Sequence, residues 1–62
     1  MTPEAVIAWR GRLNLTQAGA AQTLGLSRRQ VQNFEAGAYP VPLAVRLAMA
    51  AVEAGLPDPG PT

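Results

Sequence analysis

Residues 16–37 encode two short helices joined by a tight turn, and this feature limits the possible folds more than any other. Thr16 is suited to cap the first helix, because its hydroxyl can accept a hydrogen bond from an otherwise unpaired amide. Gly25 falls where a helix end needs left-handed dihedral angles, and Ser27 can cap the helix that follows. We therefore predict helices over Gln17–Leu24 and Arg28–Ala36, the second ended by Gly37.

The side chains of these two helices divide into a packing set and a polar set. Ala21 lies in the middle of the first helix, where a small side chain lets the second helix cross closely. Leu26 is placed to fill the turn, and Val31 and Phe34 recur at helical spacing to face the first helix. The other positions of the second helix are polar and point elsewhere: Arg28, Arg29, Gln32 and Asn33. This combination indicates a helix that reads DNA.

Helical signals also precede and follow this pair, so the chain predicts an all-α fold of four helices, or five. Pro3 opens a first helix capped by Thr2, and its apolar stripe is Val6, Trp9 and Leu13. Asn14 can provide a left-handed stop after it. A fourth helix, opened by Pro42, should extend to about residue 54 and stop at Gly55. We expect one domain over residues 1–55 and a proline-rich tail over 56–62.

Composition excludes several kinds of chemistry. The 62 residues contain neither cysteine nor histidine, which rules out disulfides, Cys/His zinc sites and histidine catalysis. Only four carboxylates are present and no phosphate-binding loop accompanies them, so we expect no enzyme activity, no metal and no cofactor. No apolar run could span a membrane and no leader precedes the domain, so we expect a cytoplasmic protein of a bacterium or phage. The net charge of +1 is low for a nucleic-acid binder, so its distribution matters more than its total.

The chain resembles the xenobiotic-response-element type of helix-turn-helix regulators, which include phage repressors and Cro-like proteins. The matching elements are Arg10, Leu15-Thr16-Gln17, Ala20-Ala21, Leu24-Gly25-Leu26-Ser27 and Glu35-Ala36-Gly37. The resemblance covers residues 3 to about 54 and the spacing agrees without a gap. One departure is Ala20, where the family usually has leucine and where Trp9 would compensate. The resemblance implies a λ-repressor-like domain that binds double-stranded DNA sequence-specifically. We expect a repressor that occupies an inverted-repeat operator as a homodimer, without a small-molecule effector.

Roles for individual residues follow from the resemblance and from side-chain chemistry. Arg10 and Glu35 match the family's buried ion pair, in which loss of one partner costs about 3–5 kcal/mol. Arginine suits guanine, and Gln or Asn suits adenine, so base readout is expected from Arg28, Arg29, Gln32 and Asn33. Phosphate contacts are expected from Gln17, Ser27, Tyr39, Arg12 and Arg46, and from main-chain amides near residues 38–41. For Tyr39, packing in the core or the loop is an equal alternative to the phosphate contact.

The fourth helix carries apolar residues nearly all round, which predicts burial on two sides. One stripe, Leu43, Leu47 and Ala50 or Ala51, would close the core. A second stripe would form a two-fold dimer interface: Val45, Met49 and Val52, extended by Leu56. The alternative is that the first helix and the tail cover this second stripe.

Other functions remain open at the level of sequence. The same fold could bind structured RNA or single strands, or could act as a protein-interaction module that has lost DNA binding. A small antitoxin would share the DNA-binding motif, and so would an autoregulatory phage or mobile-element regulator, including the type that accompanies anti-CRISPR genes. The polar start of the recognition helix argues against a pure interaction module, because a protein-binding face favours apolar anchors.

Overall fold

Short turns connect all the helices in the computed structural model, which describes residues 1–55. The helices are α1 Pro3–Arg12, α2 Gln17–Leu24, α3 Arg28–Ala36 and α4 Leu43–Glu53. No strand occurs in this part of the chain. The all-α prediction is therefore confirmed with four helices, and α2 and α3 have the predicted bounds. The fourth helix begins one residue later than expected, because Pro42 has extended backbone angles and serves as its N-cap.

Local hydrogen bonds explain why α2 and α3 begin where they do. The hydroxyl of Thr16 accepts a hydrogen bond from the amide of Gly19 at 3.0 Å. Ser27 and Gln30 form a reciprocal capping box, in which the Ser27 hydroxyl accepts from the Gln30 amide and the Gln30 side chain accepts from the Ser27 amide. Gly25 ends α2 with a φ of 71°, which a residue with a Cβ adopts at a cost. Each end of the turn is thus held by residues within four positions of it.

Every helix contributes to one apolar core. Ala20 and Ala21 of α2 are both buried, and their small side chains let α2 lie close to α3. Trp9 occupies the same core as Ala20, where the resemblance expected it to compensate for a missing leucine. The buried residues that form this core are Val6, Trp9, Ala20, Ala21, Val31, Phe34, Val41 and Met49. Burial of Val41 shows that the loop between α3 and α4 is drawn into the core as well.

A single side-chain bond connects α1 with α4 across this core. The indole Nε1 of Trp9 donates a hydrogen bond to the main-chain oxygen of Met49 at 2.9 Å, and the bond is buried. Tryptophan has only this one polar hydrogen, so the bond satisfies the side chain completely. Trp9 is therefore a core residue, and it lies beside Met49 there.

The predicted faces of α4 are interchanged in the structure. Met49 is only 2% exposed, and Val45 and Val52 pack against the same core. Leu43 and Leu47, expected in the core, are instead 60% and 62% exposed. Met49 is therefore buried within one chain and cannot form the predicted dimer interface, and Val45 and Val52 are partly buried against the same core. Leu56, the last predicted interface residue, lies outside the described residues. Sequence periodicity could not choose between the faces because both are apolar; in the structure the face with Met49 packs against the core that Trp9 shares.

Candidate functional site

The outer face of α3 forms an open polar concavity of about 560 Å³. It is lined by the four residues expected to read bases: Arg28, Arg29, Gln32 and Asn33. The capping box at Ser27 sets where α3 begins, and burial of Val31 and Phe34 sets which way it faces. The core thus turns these four side chains outward together.

A second concavity, of about 500 Å³, adjoins the first because Arg28 borders both. Its lining comes mainly from the end of α1 and the start of α2: Arg10, Thr16, Gln17, Ala18 and Arg28. The N-terminal ends of α2 and α3 therefore meet along one polar surface. Helix N-termini carry partial positive charge and amide hydrogens, so this surface suits an anion.

Arg10 and Glu35 form the predicted ion pair, which joins α1 to α3 beneath this surface. The Arg10 Nε and Nη2 atoms donate to the two carboxylate oxygens of Glu35 at 2.8 and 3.2 Å. Nη1 of Arg10 also donates to the main-chain oxygen of Leu15 at 3.2 Å. The Glu35 side chain is 8% exposed and that of Arg10 is 25% exposed. The pair holds the two helices in place and leaves little charge for a ligand.

Glu35 also orients Gln17, and through it Gln32. Gln17 Nε2 donates to the Glu35 carboxylate at 3.1 Å. A carboxylate only accepts hydrogen bonds, so the Gln17 oxygen must face the other way. There it accepts from Nε2 of Gln32 at 3.4 Å, the longest bond of this network. Gln17 keeps one amide hydrogen for a ligand, and within residues 1–55 no hydrogen bond engages the oxygen of Gln32.

Positive charge is concentrated on α3 by the way the carboxylates are used. Glu35 compensates Arg10, and Glu53 compensates Arg12. In the described part of the chain, no salt bridge engages Arg28, Arg29 or Arg46. Arg28 and Arg29 are adjacent and exposed, so the surface around the α3 N-terminus is positive although the net charge is only +1.

The position of Arg12 departs from the expectation of a phosphate contact. Its Nε and Nη2 atoms both donate to the Glu53 carboxylate, the latter at 2.9 Å, and this links the end of α1 to the end of α4. The hydrogen bond lowers the pKa of Glu53 below its ordinary value and raises the pKa of Arg12. Because its charge is matched, Arg12 adds no net positive charge to the surface.

The other residues expected at phosphates have different surroundings. Tyr39 is 62% exposed in the loop after α3, which excludes the alternative that it packs in the core and leaves its hydroxyl open to a phosphate. Arg46 is exposed on α4, away from both concavities. The Ser27 hydroxyl already accepts from the Gln30 amide, but it retains its own hydrogen for a ligand.

Sequence reasoning missed Gln30 and Ala18 at this site. Gln30 completes the capping box, and its signal was present, since a Ser followed three residues later by Gln is the pattern of that motif. Ala18 lines the second concavity beside Gln17, and no sequence signal distinguishes it from any other alanine. Only its place in the first turn of α2 brings it there.

No alternative chemistry is indicated by the described residues. Between residues 1 and 55, no group of three or more His, Cys, Asp or Glu side chains could hold a metal ion. None of the four helices has the length and apolar character needed to cross a bilayer. Comparison of the chain with protein-family models, curated proteins and solved structures gave no match in any of the three.

Proposed function

We propose that this protein is a sequence-specific DNA-binding transcriptional repressor of the phage-repressor and Cro-like helix-turn-helix type. One observation carries the proposal: α3 presents Arg28, Arg29, Gln32 and Asn33 together on an outer face that holds no carboxylate. An α-helix fits the major groove of B-DNA, and such side chains match the pattern of donors and acceptors on base edges. The α2–turn–α3 unit is the recognition motif in this proposal.

Arg28 and Arg29 are assigned to guanine, because a guanidinium can donate to both O6 and N7. Asn33 is assigned to adenine by the same rule. Gln32 has a narrower role than the sequence suggested. Its amide nitrogen is turned to Gln17, so its oxygen faces outward and accepts from an amino group of adenine or cytosine.

The start of α2 is assigned to the DNA backbone. Gln17 retains one amide hydrogen beside the first-turn amides of α2, and both can donate to a phosphate oxygen. Such contacts position a protein on DNA without reading its sequence. Repression then follows from occupancy, because a bound protein blocks polymerase where the operator overlaps a promoter.

A single-strand binder is less well supported by the same surface. Proteins of that kind stack bases on exposed aromatic side chains. This chain has one Trp, one Tyr and one Phe. Trp9 and Phe34 are buried, which leaves Tyr39 as the one exposed ring.

A protein-binding role for α3 also lacks support, because its outer face offers no apolar anchor. An antitoxin would use the same DNA contacts and is a variant of this proposal.

Selection from a library of random-sequence DNA duplexes, at physiological salt, tests the proposal directly. We expect enrichment of one motif that contains at least one G·C pair, followed by tight binding in a shift assay against unrelated DNA. Arg29→Ala should weaken binding to the selected duplex. Arg12→Gln removes the same charge at a position bound to Glu53 and should leave binding nearly unchanged. Absence of any enriched motif, or equal weak binding to all duplexes, would contradict the proposal.

A further inference from the structure

The outer face of α4 carries a continuous apolar stripe that nothing in residues 1–55 covers. Its members follow one another at helical spacing and all are exposed: Leu43, Leu47, Ala50 and Ala54. The stripe lies opposite Met49, which faces the core. An apolar surface of this kind is usually covered by a partner.

Side-chain size along the stripe is arranged so that it complements itself. The large residues, Leu43 and Leu47, lie in the N-terminal half of α4, and the small ones lie towards its other end, with Ala50 inside the helix and Ala54 as its C-cap. A two-fold axis through the middle of the stripe places an identical helix antiparallel to the first. Leu47 of one copy then lies opposite Ala50 of the partner subunit, and Leu43 lies opposite Ala54. Each leucine meets a recess, as close packing requires.

Charge along one edge of the stripe supports the same arrangement. Arg46 and Glu53 flank the stripe on the same side of α4, near opposite ends. The two-fold operation leaves that edge on the same side and reverses its direction, so Arg46 of one copy approaches Glu53 of the partner subunit. Arg46 has no carboxylate partner within residues 1–55, and a carboxylate can accept more hydrogen bonds than Arg12 provides. Both ends of the interface would then carry one added ion pair.

We propose that a second copy of this chain docks on the stripe through antiparallel α4 helices, with Leu47 against Ala50 across the two-fold axis. The tail fits less well as the occupant, since residues 56–62 offer one large apolar side chain, Leu56, against a stripe of four positions. Dimer formation itself does not depend on DNA. Its consequence, two α3 helices about 34 Å apart on adjacent half-sites, rests on the proposed function.

Sedimentation equilibrium of the full chain without DNA, over a wide concentration range, measures the association. Leu47→Ala and Ala50→Leu should each weaken dimerisation by about tenfold or more, the first by leaving a void and the second by a clash. The double variant exchanges the two residues and restores one large side chain opposite one small one. It should therefore recover most of the lost affinity. Ile7→Ala, a truncation of the same kind at an exposed apolar position off the stripe, is the control and should leave association unchanged.

Three results would overturn the proposal. A chain that stays monomeric at all concentrations shows that the tail, or nothing, covers the stripe. A dimer that neither single variant weakens has its interface elsewhere. If both single variants weaken dimerisation and the double variant does not restore it, the antiparallel register is contradicted. Binding of a single half-site duplex separates this proposal from the previous one: it persists if only dimerisation fails, and it is lost if the assignment of α3 to DNA is wrong.

Discussion

Helices α3 and α4 pack on the same core, yet their outer faces have opposite chemistry. The outer face of α3 presents side chains such as Arg29 and Asn33, whereas that of α4 presents Leu43 and Leu47. A charged face is well hydrated and is stable in water until a ligand of opposite charge displaces that water. An apolar face raises the free energy of the chain for as long as it is exposed. Surfaces of such different chemistry suit different partners, and the two proposals place DNA on the face of α3 and a second copy of the chain on that of α4.

The largest expected effect is a loss of stability at the buried face of α4, compared with a small change at its exposed face. Met49→Ala should lower the free energy of unfolding by about 2–5 kcal/mol, because it opens a cavity in the core. Leu47→Ala should change it by only about 0.5 kcal/mol when measured below the concentration at which the proposed dimer forms, because Leu47 is exposed in one chain. Urea denaturation followed by circular dichroism measures both. Met49→Leu keeps the volume and should lose less than about 1.5 kcal/mol. Equal losses at positions 47 and 49 would mean that the assignment of the α4 faces is wrong.

A smaller loss of stability is expected when the Arg10–Glu35 ion pair beneath the α3 surface is broken. Glu35→Ala removes the acceptor shared by Arg10 and Gln17, and should lower the free energy of unfolding by about 1–3 kcal/mol. The loss stays below that of a fully buried pair because the Arg10 side chain is 25% exposed and water can reach it. Double replacement by Arg10→Met and Glu35→Leu should lose less than Glu35→Ala, as no charge is left unpaired. A double variant that is less stable than the single one would contradict this account.

Base readout gives an effect of similar size that is confined to binding. Arg29→Ala should remove about 1–3 kcal/mol of discrimination at one base pair. Its free energy of unfolding should change by less than about 0.5 kcal/mol, since the side chain is exposed and bound to nothing in residues 1–55. Shift assays on single-base variants of the selected duplex, with Arg28→Ala in parallel, measure the discrimination. If both variants keep full specificity, neither arginine reads a base.

Gln17→Ala distinguishes a contact to the DNA backbone from contacts to the base edges on the same protein surface. It removes a donor to phosphate, so binding to selected and unrelated duplexes should weaken alike. It also releases Gln32, which the Gln17 oxygen now orients. We expect the ratio of binding to selected and unrelated duplexes to stay nearly constant, with any change in discrimination confined to the base pair that Gln32 contacts. A selective loss at several base pairs would make Gln17 a reader of sequence.

The smallest expected effect lies at the edge of α4, where Arg12 binds Glu53. The pKa of Glu53 is lowered from its ordinary value of 4.5 by the hydrogen bond from Arg12. The unfolded chain therefore binds the proton more readily. The stabilisation is present above pH 4.5 and is lost as the pH falls through the lowered pKa. Glu53→Gln should flatten this part of the pH dependence of urea denaturation. Because the pair is exposed, added salt should weaken the effect, and a salt-independent slope would exclude this origin.

The sequence by itself determined where the helices begin and end and what they can offer a ligand. Thr16 caps α2, Ser27 caps α3 and Gly25 ends α2, each through bonds to residues within four positions. Such bonds form in any compact arrangement, so local chemistry is enough to predict them. The polar set on α3 could be identified for the same reason, since helical spacing alone groups it on one face. The Arg10–Glu35 pair came from the resemblance rather than from spacing.

Tertiary structure alone decided how these parts face one another. Trp9 bonds to Met49 across 40 positions, and Arg12 bonds to Glu53 across 41. The first bond joins α1 to the buried side of α4, and the second matches the charge of Arg12 with a carboxylate. Neither bond could be predicted, because α4 is apolar on both sides and the sequence does not indicate which carboxylate a given arginine will pair with. Local sequence determines a helix and its periodicity, but its rotation about its own axis depends on the side chains that other helices bring to it.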